Sequence, residues 1–276
     1  MNIPEILKAI ILGITEGVTE WLPVSSTGHM ILIDEFIKLN VTADFKAVFL
    51  VVIQLGAVMS VVFLYRDRLF PFYLKEKKIL TDKKILLLWV KIAVSCFPAA
   101  AAGIMFDDKF NELFYNYRTV SIMLVLFGIL FIIIENVRRG KLPKINSIAE
   151  ITFQAAFLIG LFQLAAAVFP GTSRSGATIL GALTLGVSRT VAAEYTFFLA
   201  VPVMLGASAL KLFKFATGFG KDEIFILLLA SAVAFAVSAA AIRFLTGYVK
   251  KHDFKIFGWY RIVLGTAVLA YFSFLA

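Results

Sequence analysis

The sequence predicts an all-α, polytopic membrane protein with six spanning helices and two re-entrant, broken helical hairpins, arranged as an inverted-topology repeat. Three observations carry this. The chain is too apolar for a soluble domain: 61% of its 276 residues are hydrophobic, 28 are Phe and mean hydropathy is +0.91, against about 45–50% apolar residues in soluble domains. Its basic residues gather in a few short loops between apolar stretches. Two polar strings, Pro23-Val24-Ser25-Ser26-Thr27-Gly28-His29 and Pro170-Gly171-Thr172-Ser173-Arg174-Ser175-Gly176-Ala177-Thr178, interrupt apolar stretches about half a chain apart.

The first hairpin begins as an apolar helix over residues 4–22 that carries two glutamates; Pro23 cuts it, and it resumes over 28–39. Proline removes a helix hydrogen bond and ends the run. Spans of about 20 apolar residues follow at 45–65, 85–106 and 119–137. A second hairpin starts at 151, is cut after 169 by Pro170-Gly171 and resumes over 176–186. Spans at 192–213, 224–245 and 257–276 close the chain. One integral-membrane domain over 1–276 is expected, with repeat one at about 1–137 and repeat two at about 150–276. No cleavable signal peptide is expected, because Trp21-Leu22-Pro23 stands where a small-residue cleavage site would follow the first apolar stretch.

The net charge of +9 does not point to nucleic acid, because the charge is local. Arg66, Arg68, Lys75, Lys77, Lys78, Lys83 and Lys84 form one basic loop, Arg138, Arg139, Lys141 and Lys144 a second, and Lys250, Lys251 and Lys255 a third. Such loops mark the cytoplasmic side. The segment 107–118 is more acidic, with Asp107, Asp108 and Glu112 against Lys109 and Arg118, and reads as an external loop. This orientation starts and ends the first hairpin outside and the second inside. Their polar tips would then meet near mid-membrane, where non-helical backbone is tolerated only if sheltered by protein or lining a wet cavity. A direct alignment agrees: with one residue inserted after the prolines, Ser25 to Leu32 falls on Ser173 to Leu180, and Gln54-Leu55-Gly56-Ala57 falls on Met204-Leu205-Gly206-Ala207.

The tips carry the chemistry. Glu16 and Glu20 stand four apart, on one helix face. An intramembrane charge costs about 2.5–3.5 kcal/mol even on the lenient insertion scale, so the pair calls for a divalent cation, a proton or a cationic side chain. Arg174 lies between Ser173 and Ser175, after Gly171; a guanidinium fork, close backbone approach and the N–H groups opening a half-helix make an oxyanion cradle. Ser26 and His29 share the first turn of the other half-helix and offer a nucleophile with an adjacent base, or a histidine that attacks phosphorus itself. Lys91 is a further intramembrane charge whose partner the sequence does not name. Cys96 stands alone in an apolar run, so neither a disulfide framework nor a cysteine metal site is expected.

These motifs resemble a known family. Glu16-Gly17-Val18-Thr19-Glu20, the Ser-Ser-Thr-Gly-His29 string and Pro170 to Thr178 are similar to the motifs of the bacterial undecaprenyl-diphosphate phosphatases, also called bacitracin-resistance proteins, and the likeness covers essentially the whole chain. The resemblance implies a hydrolase of the bacterial cytoplasmic membrane that takes the terminal phosphate from a polyprenyl diphosphate lipid. It would recycle the carrier for cell-wall synthesis, confer bacitracin resistance, require Mg²⁺ or Ca²⁺, and work toward the outer face. On this reading Glu20, Ser26, His29 and Arg174 are catalytic; Ser25, Thr27, Gly171, Ser173, Ser175 and Thr178 hold the substrate; Glu16 and Glu20 hold the metal. The nucleophile stays open between Ser26, His29 and water, and homo-oligomerisation is left open too. A two-histidine lipid phosphatase fits less well, since no second histidine is suitably placed. A secondary transporter or lipid flippase for an anionic substrate is the alternative, because the same inverted-repeat cavity would serve it.

Overall fold

The computed structural model describes residues 3–75, 78–215 and 218–274. Lys77 of the first basic loop and residues 275–276 of the last expected span lie outside the described residues. The chain runs α1 (Ile3–Thr19), α2 (Ser26–Phe36), α3 (Ala43–Leu64), the single turn α4 (Arg66–Leu69), β1 (Phe72–Lys75), β2 (Lys78–Thr81), α5 (Lys83–Phe114) and α6 (Tyr117–Arg138). A 3-10 turn (Ile148–Glu150) leads into α7 (Phe153–Val168), α8 (Arg174–Thr184), α9 (Arg189–Phe215), α10 (Lys221–Tyr248) and α11 (Lys255–Phe274). Among the described residues, six helices are long and apolar enough to cross a membrane: Asp44–Leu64, Lys83–Phe106, Tyr117–Arg138, Arg189–Lys214, Lys221–Tyr248 and Lys255–Phe274. Each falls on one of the expected spans. This is a multi-pass membrane protein.

Local chemistry starts several helices where the sequence places a polar cap. Thr42, Asn116 and Thr152 each accept a hydrogen bond from the backbone N–H three residues on, at 3.2, 2.9 and 3.1 Å, which satisfies a donor that the first helical turn leaves free. Two details differ from expectation. The acidic segment after the second span is helical as far as Phe114, because no glycine or proline interrupts it, so the α5–α6 connection is only Tyr115 and Asn116. The first basic loop folds in part into an antiparallel pair, Phe72 opposite Thr81 and Lys75 opposite Lys78.

Helix pairs come close where side chains are small. Gly13 and Gly17 lie on one face of α1 against α10, and a Cβ at either would press on the Ala230 or Ala234 carbonyl at 2.7 and 2.9 Å. This is the small-xxx-small contact by which membrane helices gain packing where no hydrophobic force drives them together. α7 meets α5 in the same way, Gly160 lying against the Ser95 backbone.

Hydrogen bonds join the start and the end of each hairpin. Lys8 donates to the Lys38 carbonyl (2.7 Å) and Asn40 N–H to Glu5 Oε2 (3.1 Å), joining the start of α1 to the end of α2. Lys144 N–H donates to the Gly186 carbonyl (2.8 Å) and Ser188 N–H to the Ile145 carbonyl (2.9 Å), joining the approach to α7 to the exit of α8. α3 starts beside the first of these bases. It ends at Tyr65, whose hydroxyl meets Thr246 Oγ1 (3.4 Å), and just beyond it Arg68 pairs with Glu194 of α9, the helix leaving the second base. The two bases therefore sit at opposite ends of α3. The second is also clamped from within: buried Glu135 of α6 accepts from Arg189 at 2.5–3.1 Å and from Phe254 N–H at 3.0 Å, and Arg138 donates to the Leu183 and Val187 carbonyls.

Candidate active site

The two turns share an unusual backbone. Ser25 and Ser173 are the non-glycine residues with positive φ among the described residues, at 73° and 69°. That region costs a side-chain-bearing residue on the order of 1–3 kcal/mol. Each serine caps the half-helix it precedes: Gly28 N–H donates to Ser25 Oγ at 3.3 Å and Gly176 N–H to Ser173 Oγ at 3.1 Å. Gly171, at φ 89°, lies so close to the Val120 backbone of α6 that a Cβ would overlap it.

Between the turns lies a cavity of about 210 Å³ whose walls include Glu20, Ser26, Thr27, Gln54, Gln163, Gly171, Ser173 and Arg174. Gln54 and Met204, paired by the internal alignment, both line it. The floor is a chain of three side chains drawn from both hairpins. Ser26 Oγ donates to Glu20 Oε2 at 2.8 Å; Arg174 Nη2 donates to Glu20 Oε1 at 3.0 Å; Arg174 Nη1 donates to the Thr196 carbonyl at 2.8 Å. The Arg174 guanidinium also stands 5.8 Å from the centre of the Trp21 ring. Glu20 N–H still bonds the Glu16 carbonyl (3.0 Å), which keeps both glutamates on one face as their spacing requires.

Of the residues singled out from sequence, Glu20, Ser26, Thr27, Gly171, Ser173 and Arg174 line this cavity. Ser25, Ser175 and Thr178 are buried behind it: Ser25 caps α2, Ser175 Oγ reaches Ser173 Oγ (3.1 Å) and the Leu22 carbonyl (3.4 Å), and Thr178 Oγ1 bonds the Arg174 carbonyl (2.9 Å) and Thr196 Oγ1 (2.9 Å). His29 shares the first turn of α2 with Ser26 but is not brought to its hydroxyl. Its Nδ1 meets the Ser25 carbonyl at 2.7 Å, which requires the proton there, so Nε2 accepts from Tyr260 Oη at 2.7 Å, and the ring stacks on Tyr260. Both nitrogens are engaged away from the cavity. Lys91 donates to the Ala149 carbonyl at 3.0 Å and does not line the cavity.

One residue escaped the reading of motifs. Arg261 of α11 is fully buried and holds the two turns together: it donates to the Pro23 carbonyl at 3.3 Å and to the Gly171 and Thr172 carbonyls at 3.0 and 2.7 Å. The signal was present, since an ionisable residue inside a span marks a functional place by default, but no neighbouring motif drew attention to it.

Among the described residues, six buried side-chain atoms lack a hydrogen-bond partner: Glu16 Oε1, Trp21 Nε1, Gln163 Oε1, Thr172 Oγ1, Arg174 Nε and Arg261 Nε. All belong to the two hairpins or to the arginine between them. No group of three or more His, Cys, Asp or Glu among the described residues could hold a metal ion by itself. Glu20 has both oxygens engaged, whereas Glu16 keeps one buried and unpartnered. Glu16 is not part of the cavity wall, so it offers a divalent cation one carboxylate oxygen from behind that wall, and phosphate oxygens of a substrate would have to supply most of the remaining ligands.

Comparison with known proteins identifies the family. A family model described as bacitracin resistance protein BacA matches residues 9–267. An undecaprenyl-diphosphatase of Desulfitobacterium hafniense is 62% identical over 273 residues, covering 99% of this chain and 98% of that protein. Undecaprenyl-diphosphatase 1 of Clostridium acetobutylicum is 66% identical over 268 residues, 97% of each. An undecaprenyl-diphosphatase of Enterococcus faecalis is 54% identical over 266 residues, 96% of each. With the match running through both turns and the helices that carry them, this chain belongs to the bacitracin resistance protein BacA family.

Proposed function

We propose that the protein hydrolyses undecaprenyl diphosphate to undecaprenyl phosphate and inorganic phosphate, recycling the carrier lipid in the bacterial cytoplasmic membrane and so conferring resistance to bacitracin. The observation that carries this is the Ser26–Glu20–Arg174 chain beside a cavity in an apolar, membrane-crossing protein. A nucleophile bonded to a base that a third group orients is the general form of covalent catalysis.

In the forward step Ser26 Oγ attacks the terminal phosphorus, its proton passes to Glu20 Oε2, and the bond from phosphorus to the bridging oxygen breaks. Undecaprenyl phosphate leaves on that oxygen. Water then attacks the phosphorus of the phosphoserine, its proton passing to a phosphate oxygen; the bond from phosphorus to Ser26 Oγ breaks, Glu20 returns its proton to that oxygen, and inorganic phosphate departs. Arg174, with Ser173 and the N–H groups opening α8, holds the phosphoryl oxygens, since phosphoryl transfer depends mostly on positioning and charge stabilisation. His29 and Tyr260 brace the start of α2 and are not the base. Glu16 would hold Mg²⁺ or Ca²⁺ together with substrate phosphates, and the bound cation offsets the diphosphate charge.

The frame is an inverted duplication with repeats at about 1–137 and 150–276. The like turns, the matching Gly13 and Gly160 contacts and the two bases at opposite ends of α3 support it. On this reading the active site works toward the outer face, since the basic loops mark the cytoplasmic side. The test is direct: protein purified in detergent and given undecaprenyl diphosphate with Mg²⁺ releases inorganic phosphate, and chelator stops it. Absence of release, with flux of the lipid across vesicles, would replace this reading by transport.

A further inference from the structure

Three stretches far apart in the chain meet at the base of the second hairpin. The connection leaving α6 runs along the exit of α8, where Lys144 N–H bonds the Gly186 carbonyl (2.8 Å) and Ile145 pairs with Val187. The connection between α10 and α11 joins them, because Phe254 N–H and Arg189 both donate to buried Glu135. Four spans stop here: Tyr117–Arg138 and Lys221–Tyr248 end, and Arg189–Lys214 and Lys255–Phe274 begin. Residues 139–147 and 249–254 therefore lie just past the spans, at the depth of lipid headgroups rather than of acyl chains.

The platform so built is basic and lacks counter-charge. Arg139, Lys141, Lys144, Lys250 and Lys251 are exposed, and their side chains have no hydrogen bond or ion pair among the described residues. The carboxylates nearby are already engaged. Glu135 holds Arg189 (2.5 Å), Asp253 pairs with Lys255 (3.3 Å), and Glu150 accepts from Asn146 N–H and Ser147 Oγ at 2.8 Å each.

Charge alone could be met by any anion, but the apolar side chains narrow the choice. Leu142, between Lys141 and Lys144 and two residues after Gly140 at φ 75°, is 91% exposed. Trp259, one turn into α11 from Lys255, is 59% exposed, and tryptophan near a span end sits at the membrane–water interface. Orientation in the membrane asks only that basic loops share one side. It does not ask three stretches to converge, or one of them to present a leucine. Basic residues interleaved with exposed Leu and Trp at headgroup depth suit an anionic lipid surface.

We propose that this platform binds the headgroups of anionic phospholipids, with Leu142 seated at the edge of the acyl chains. Bound lipid bridges from outside the stretches that Glu135 joins from within, and so steadies the base of the hairpin that carries Arg174. The inference does not depend on the hydrolytic reading.

Native mass spectrometry of the detergent-purified full chain, given phosphatidylglycerol and phosphatidylcholine with matched tails, counts the lipid retained. Wild type should hold phosphatidylglycerol at least about tenfold more tightly and melt at a higher temperature with it. Each charge removed should weaken that binding about fivefold, so Arg139→Gln/Lys141→Gln and Lys250→Gln/Lys251→Gln should each lose about 25-fold. Lys109→Gln/Lys214→Gln, near the far ends of α5 and α9, should lose none. Inorganic phosphate at the same concentration should not reproduce the rise in melting temperature. The melting temperature of each variant in phosphatidylcholine alone checks that it is folded. Equal retention of the two lipids by wild type, an undiminished preference in both folded double variants at the platform, an equal loss in the far-end variant, or an equal rise with inorganic phosphate overturns the proposal.

Discussion

The two hairpins share a turn and differ in almost everything laid upon it. Both cap a half-helix with a serine at positive φ, yet α8 is buried from Ser175 through Leu183 whereas α2 buries only Gly28 and Met30. The second hairpin is also clamped at its base by Glu135, Arg189 and Arg138, while the first is held by Lys8, Glu5 and the partly exposed Lys46–Asp34 pair. The turns are alike in backbone because each sets where a half-helix starts, whereas the side chains around them differ. The more buried hairpin supplies the Arg174 guanidinium, which the proposed function assigns to phosphate. The more open one supplies Ser26 and Glu20.

If this division of labour is right, the largest loss comes from breaking the pair on the first hairpin. Glu20→Gln and Ser26→Ala should each lower the rate of phosphate release by about 10³-fold, within the range for a positioned base. The double variant should fall little further, because groups that act as a unit are not additive. Independent, multiplying losses in steady-state assays would separate Glu20 from Ser26.

Next in size is the tie between the copies. Arg261→Met leaves the Pro23, Gly171 and Thr172 carbonyls without their donor, a cost of about 3 kcal/mol or more, read as a lower melting temperature in detergent. A melting temperature equal to wild type would mean that the turns hold each other without it. Arg174→Lys keeps the charge but loses the fork, so turnover should drop about 10²-fold while the melting temperature holds. A loss confined to stability would turn Arg174 into structural glue.

The smallest effect falls on His29. Because its nitrogens serve Ser25 and Tyr260, His29→Ala and Tyr260→Phe should each reduce turnover by less than about tenfold, below the contribution of a positioned acid or base. A drop of a hundredfold in His29→Ala alone would return histidine to the chemistry and undo the assignment of Glu20 as base.

Legibility from sequence followed the range of the forces involved. Six spans could be read because hydropathy over about 20 residues is a local property, and Thr42, Asn116 and Thr152 announce their helices by the same local logic. The site residues could be read as a set because motif spacing keeps neighbours on one face. Partner choice could not. Ser26 has His29 three residues away and Glu20 six away, and nothing in spacing says that the hydroxyl turns to the carboxylate while the imidazole turns outward to Tyr260. Arg261 looked like an isolated charge in a span until the fold set it between two turns far away in the chain.

By itself the sequence determined that this chain lives in a membrane, where it crosses, where its helices break, and that two similar polar strings stand at those breaks. Periodicity, charge bias and backbone preference are encoded within a few turns of chain, so they need no partner to be read. Only the tertiary structure decided that the Ser26 hydroxyl turns to Glu20, that Arg174 reaches Glu20 from the other hairpin, and that Glu16 and Gln163 each keep a buried oxygen without a partner. Those pairings depend on how α1, α7, α9 and α11 pack, and a shift of one helical turn at any of them would have chosen other partners.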